Sequence, residues 1–202
     1  MKEVLVKVYE LTELTEEVRN QVLEKAMQNV VSGDWYTPIL QNFRVDMEEY
    51  GIIGADGYFT GFGSQGDGAC FIAEFVDTDV LIRKLYEEGK DISEDVLLES
   101  KNFHVLIEKM DLLSNYDHEG TVHARIHSES DHLLKEDLDK AEYVLTEWVR
   151  EKSNNLYQEL FKYYYSLVDI EVVTEALADC VFFLDGRIAN GYITLEESIK
   201  QE

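Results

Sequence analysis

Val4, Val6 and Val8 fall on one face of the β-branched run Lys2–Tyr9, and this period of two predicts a strand. The spacing then changes to that of a helix, with Val18, Val22, Ala26 and Val30 forming one stripe, Thr15 placed as its cap and Glu16 and Glu17 at its positive end. Ser32-Gly33-Asp34 ends it. A second amphipathic helix fits Trp35–Tyr50, with Trp35, Ile39, Phe43, Met47 and Tyr50 on one side, Pro38 in the first turn and Gly51 as the stop. Aromatic and β-branched residues flanking a Gly/Ser/Asp core predict an antiparallel hairpin over Tyr58–Phe75. Helices follow over Thr78–Glu88 and Ser93–Ser100, and a second hairpin joins Phe103–Leu112 to Thr121–His127. From Leu133 the pattern is helical. One long helix runs over Leu134–Tyr165, with Asn154-Asn155 as its weak point, and a last one from Asp169 carries Val172, Val173, Ala176, Leu177, Cys180 and Leu184 to a stop at Asp185-Gly186.

These elements predict an α+β fold, an antiparallel sheet of about four or five strands covered by helices, with a long helical C-terminal half. We find no repeat, low-complexity tract or dividing linker, so residues 1–202 read as a single domain. Within it, 1–132 is the strand and helix part with the two hairpins, and 133–202 is mainly helical.

Charge sharpens this picture. Asp and Glu number 42 against 18 Lys and Arg, a formal net charge of −24, in a chain whose 45% hydrophobic content is too high for a disordered acidic tail. A folded body with that field repels nucleic acid and anionic membranes and attracts basic surfaces. Residues 1–10 lack the apolar run of a signal peptide, and no window is apolar enough to span a bilayer. Cys70 and Cys180 lie in apolar surroundings and read as core thiols in a reducing cytoplasm.

Two stretches are candidates for chemistry. The loop Ser64, Gln65, Gly66, Asp67 and Gly68 has the close glycines that let backbone amides approach an anion, although it lacks the lysine of a Walker loop and opens a strand. The same glycines also suit a tight turn or a contact with a partner. All five histidines fall between His104 and His132. No cofactor is expected; His118, His123 and His127 could ligate a divalent metal, but Arg125 lies between the last two and a solvated strand face explains the same pattern. No catalytic triad or paired-carboxylate arrangement stands out.

The run Phe59-Thr60-Gly61-Phe62-Gly63-Ser64-Gln65-Gly66-Asp67-Gly68-Ala69-Cys70-Phe71 resembles the F-x-G-F-x-S-Q-G-D-G-A-x-F hairpin of a family of uncharacterised phage and prophage proteins, some labelled antitoxin-like. Tyr116-Asp117-His118 and His123 fall where that family carries a Tyr-x-His feature, while Gly63 departs from the aromatic or polar residue usual at its position. The resemblance implies a phage accessory protein acting in the bacterial host cytoplasm. With the acidic charge, it leads to the expectation of an inhibitor that binds a host defence or toxin protein through a basic, nucleic-acid-binding surface. Glu136, Asp139 and Glu147 on the long helix would stand in for phosphates. Two alternatives are a sponge for a small nucleotide signal at the Gly-rich loop and a metal-assisted hydrolase at the histidines.

Overall fold

The computed structural model describes residues 6–110, 116–128 and 133–189. In chain order the elements are β1 (Tyr9–Glu10), α1 (Glu16–Val31), α2 (Thr37–Glu48), β2 (Ile52–Ile53), β3 (Asp56–Phe59), β4 (Ala69–Ile72), β5 (Phe75–Val76), α3 (Thr78–Glu87), α4 (Glu94–Glu99), β6 (Phe103–Lys109), β7 (Val122–Ser128), α5 (Lys135–Leu167), α6 (Ile170–Ala176) and β8 (Val181–Phe182). Helix starts follow side-chain caps. Asp77 accepts from the Val80 amide, Ser93 from the Val96 amide, Asp169 from the Glu171 amide and Thr15, at longer range, from the Val18 amide. α2 lacks such a cap and instead carries Pro38 in its first turn. No described helix is long and apolar enough to cross a membrane.

The chain forms two compact units, Met1–Trp35 with Tyr163–Glu202, and Tyr36–Lys162. In the first, β1 and β8 pair antiparallel through Tyr9–Phe182 and Glu10–Val181. Leu11, Leu14, Val22, Leu23, Val173 and Phe182 form its core. Trp35 packs against Tyr163 and Tyr164 at 6.3 and 5.5 Å between ring centres. In the second unit, Phe71, Leu81, Ile82, Leu85, Val105 and Val122 are buried together with Leu145, Trp148 and Leu156 of α5. Phe43 of α2 meets Phe71 edge-on at 5.1 Å.

Three expectations change. The strands do not merge into one sheet of four or five. They form four two-stranded antiparallel pairs, β1–β8, β2–β5, β3–β4 and β6–β7, with one bridge between Ala73 and Ile107 linking the two hairpins. The outer edge of β7 is capped, which explains why the second hairpin stops growing. Thr146 bonds both the amide and the carbonyl of Ala124, Glu142 accepts from the Ile126 amide, and Arg150 donates to the Val122 carbonyl. Side chains of α5 thus occupy the groups that a further strand would need.

The last helix ends at Ala176, well short of Leu184. Val181 and Phe182 form a strand instead, because a short β-branched and aromatic run fits either period and here finds β1 as a partner. Asp185-Gly186 turns the chain back, with Ala189 bonding Val181, where a helix stop was expected. Of the strand expected over Lys2–Tyr9, residues 2–5 lie outside the described residues, and Val6 to Val8 are not in a strand.

Candidate functional site

The Gly-rich loop closes the β3–β4 hairpin, whose last paired residues are Phe59 and Ala69. Beyond them the Thr60 amide donates to the Gly68 carbonyl, and the Gly68 amide to the Thr60 hydroxyl. At the tip, the amides of Gly63 and Ser64 both donate to Asp67 Oδ2, at 2.7 and 2.6 Å, and the Asp67 amide returns to the Ser64 carbonyl. The loop therefore carries its own anion. Two amides that a phosphate would use already hold a carboxylate. Ser64 and Gln65 project from the tip exposed. Phe62 anchors the loop, with ring centres 5.9 Å from Phe59, 5.5 Å from Tyr157 and 5.8 Å from Phe161.

The loop rests on Tyr116-Asp117-His118, so the two motifs far apart in sequence meet in space. Gly66 has φ 98°, and a Cβ there would come within 2.9 Å of the Tyr116 ring. A Cβ on Gly68 would collide with the His118 Cβ and stand 2.7 Å from its Cα. Beneath the glycines, Lys109 Nζ lies 2.7 Å from Asp117 Oδ1, and the Cys70 sulfur is 3.7 Å from the same oxygen. Burial pushes the Cys70 thiol up to about 11, the nearby Asp117 charge adding to the shift and a bond with Thr121 opposing it. The Asp117 carboxylate raises the Lys109 ammonium above its usual range. This thiol is a protonated core group rather than a poised nucleophile. Sequence reasoning overlooked Lys109. It falls in register with Phe103, Val105 and Ile107, which are buried, and a lysine on an apolar strand face signals a hidden partner.

His118, His123 and His127 do not converge. His118 Nδ1 accepts from the Gly120 amide at 3.1 Å and caps the turn into β7. Four residues apart on an extended strand, His123 and His127 are separated by about 13 Å. Arg125 Nε lies 2.9 Å from His123 Nε2 and 3.0 Å from Glu108, filling the space beside His123. Among the described residues no three His, Cys, Asp or Glu side chains are grouped as metal ligands.

Glu136, Asp139 and Glu147 are all exposed on α5. At 100° per residue they share an arc of about 80° with Tyr143. That tyrosine is 66% exposed and was not singled out from the sequence, although its spacing from Asp139 and Glu147 places it between them. Glu147 pairs with Arg150 at 3.0 Å, and Glu142, on the flank, is committed to the β7 edge. The face thus carries three carboxylates around an aromatic, with Arg150 inside the arc on Glu147 and Lys140 at its edge held 2.7 Å from Asp91.

A family model described as a domain of unknown function (DUF8835) matches residues 35–169, a span that takes in the glycine loop, Tyr116-Asp117-His118 and the acidic face of α5. Nothing matches among the curated proteins or among the solved structures.

Proposed function

We propose that this chain, which belongs to the DUF8835 family, acts by binding a partner protein through the acidic face of α5. The observation that carries the reading is the exposed row Glu136, Asp139, Tyr143 and Glu147 on a 33-residue helix, in a chain of net charge −24. Carboxylates spaced along a rigid helix offer a basic surface what a phosphate backbone offers, and an exposed tyrosine supplies the apolar anchor that charge alone lacks. The partner is accordingly a protein whose basic surface engages nucleic acid. In the setting implied by the sequence resemblance, that partner is a host defence or toxin protein in the bacterial cytoplasm, and this chain is its inhibitor. The glycine loop fits the same reading as a rigid contact surface, since Asp67 already holds its amides and leaves Ser64 and Gln65 to face outward.

The test compares two charge-reversed variants of equal net charge in affinity capture from host cytoplasm. E136K/D139K/E147K loses a basic partner that the wild type retains. E17K/E24K/E175K, altered at exposed acids on other helices, keeps it. Equal loss in both would reduce the effect to bulk charge, and retention in both would remove the α5 face from the interface.

A further inference from the structure

The β6–β7 register sets His104 directly opposite His127. Ile107 gives its backbone bonds to Ala73, away from β7, so Ile107 and Ala124 are a non-hydrogen-bonded pair. Alternation then makes His104 and His127 a hydrogen-bonded pair, with Cβ atoms about 5 Å apart and both side chains leaving the same face. Both histidines are exposed, and both line one cleft of 310 Å³ together with Asn102 and Ser128.

We propose that His104 and His127 form a two-imidazole site for a borderline divalent transition metal such as Ni²⁺ or Zn²⁺. Metal–nitrogen bonds of about 2 Å require the two ligating nitrogens to stand about 3 Å apart, a separation that imidazoles converging from this pair can reach. Imidazole is the donor suited to these ions, and solvent completes the coordination. The nearby cations do not block the site. Arg125, two residues away on the same face, is held 3.0 Å from Glu108. Lys101, which also lines the cleft, is exposed and carries its charge on a long flexible stem. The strongly acidic body raises the local concentration of cations around the cleft. This regroups the histidines: His127 finds its partner across the hairpin rather than along its own strand. The site is independent of the acidic face and of any partner bound there.

The full-length chain, stripped of metal, is titrated with NiCl₂ and with ZnCl₂ by calorimetry, and its melting temperature is read with and without each ion. The wild type binds one equivalent and melts higher when loaded, because the ion binds the folded form. His104→Asn and His127→Asn each lose at least about tenfold in affinity, since each removes one of two ligands, and their metal-free melting stays at the wild-type value because both side chains are exposed. His118→Asn and His123→Asn bind as the wild type does. No binding by the wild type, binding that survives the His104 and His127 substitutions, or an equal loss in the His118 or His123 variant would each overturn the assignment.

Discussion

Gly66 and Gly68 matter for different reasons although they sit two residues apart. Gly66 holds a left-handed backbone, φ 98°, under the Tyr116 ring. Gly68 needs no special backbone angle, but the main chain of Asp117 and His118 occupies the space a side chain would take. Gly66→Val therefore costs about 1–3 kcal/mol through strain. Gly68→Ala costs a similar ~1–3 kcal/mol through overpacking, despite its small size. Chemical denaturation reads both. An unchanged midpoint in either variant would separate that glycine from the contact with Tyr116-Asp117-His118.

Below the glycines, Cys70 makes a pH-dependent contribution whose sign is fixed. Its thiol rises from 9.0 to about 11 on folding. Between those values the unfolded chain has released the proton while the folded chain keeps it. Stability is therefore complete below pH 9 and falls as pH climbs toward 11. Denaturation at pH 8 and pH 10.5 should show the wild type losing about 1–3 kcal/mol more than Cys70→Ala over that interval. Parallel losses would mean that the thiol is not held protonated.

At the scale of elements, much was legible because short-range rules decided it. α1 begins at its Thr15 cap, α3 and α4 begin at Asp77 and Ser93, and α5 runs through Asn154-Asn155 without a break. That continuity follows from Ser153, Leu156 and Leu160 being buried on either side of the weak dipeptide, so packing outweighs local propensity. What failed depended on distant partners. Residues 181 and 182 carry no local mark that separates strand from helix, and β1 decides between them. The closing of the β7 edge by Thr146, Glu142 and Arg150 could not be read from a pattern that assigns such residues to a solvated helix face. In the site, the loop and the Tyr116-Asp117-His118 segment were each visible as motifs. Their contact was not, because only the fold brings the glycines against His118.

The helix-capped edge makes its own prediction. Thr146→Val removes the hydroxyl that serves both the amide and the carbonyl of Ala124 while keeping the side-chain shape. Leaving those groups unpaired should cost about 1–3 kcal/mol and speed hydrogen exchange at the Ala124 amide before it changes the rest of β7. Wild-type exchange at Ala124 would show that the edge is satisfied in another way.

For the whole molecule, the charge imbalance is the feature that folding does not demand. A body carrying 42 acidic and 18 basic side chains stores self-repulsion that a balanced surface would avoid. The described ion pairs use few of the acids, and one of them, Lys109–Asp117, lies beneath the loop rather than on the surface. The family match takes in the whole of the second unit, Tyr36–Lys162, so the glycine loop and the acidic face of α5 belong to the same matched span. In the proposed reading the excess charge serves recognition, and recognition by charge has a signature that apolar docking lacks.

The most direct measurement is the affinity of the captured partner for the wild-type chain, followed from 0.1 M to 1 M salt and in the presence of competing duplex DNA. Over that range the screening length shrinks from about 10 Å to about 3 Å. Affinity should fall steeply with salt, duplex DNA should release the partner, and E136K/D139K/E147K should already have lost most of the salt-sensitive part. Affinity that is indifferent to salt and to DNA would contradict this reading of the α5 face.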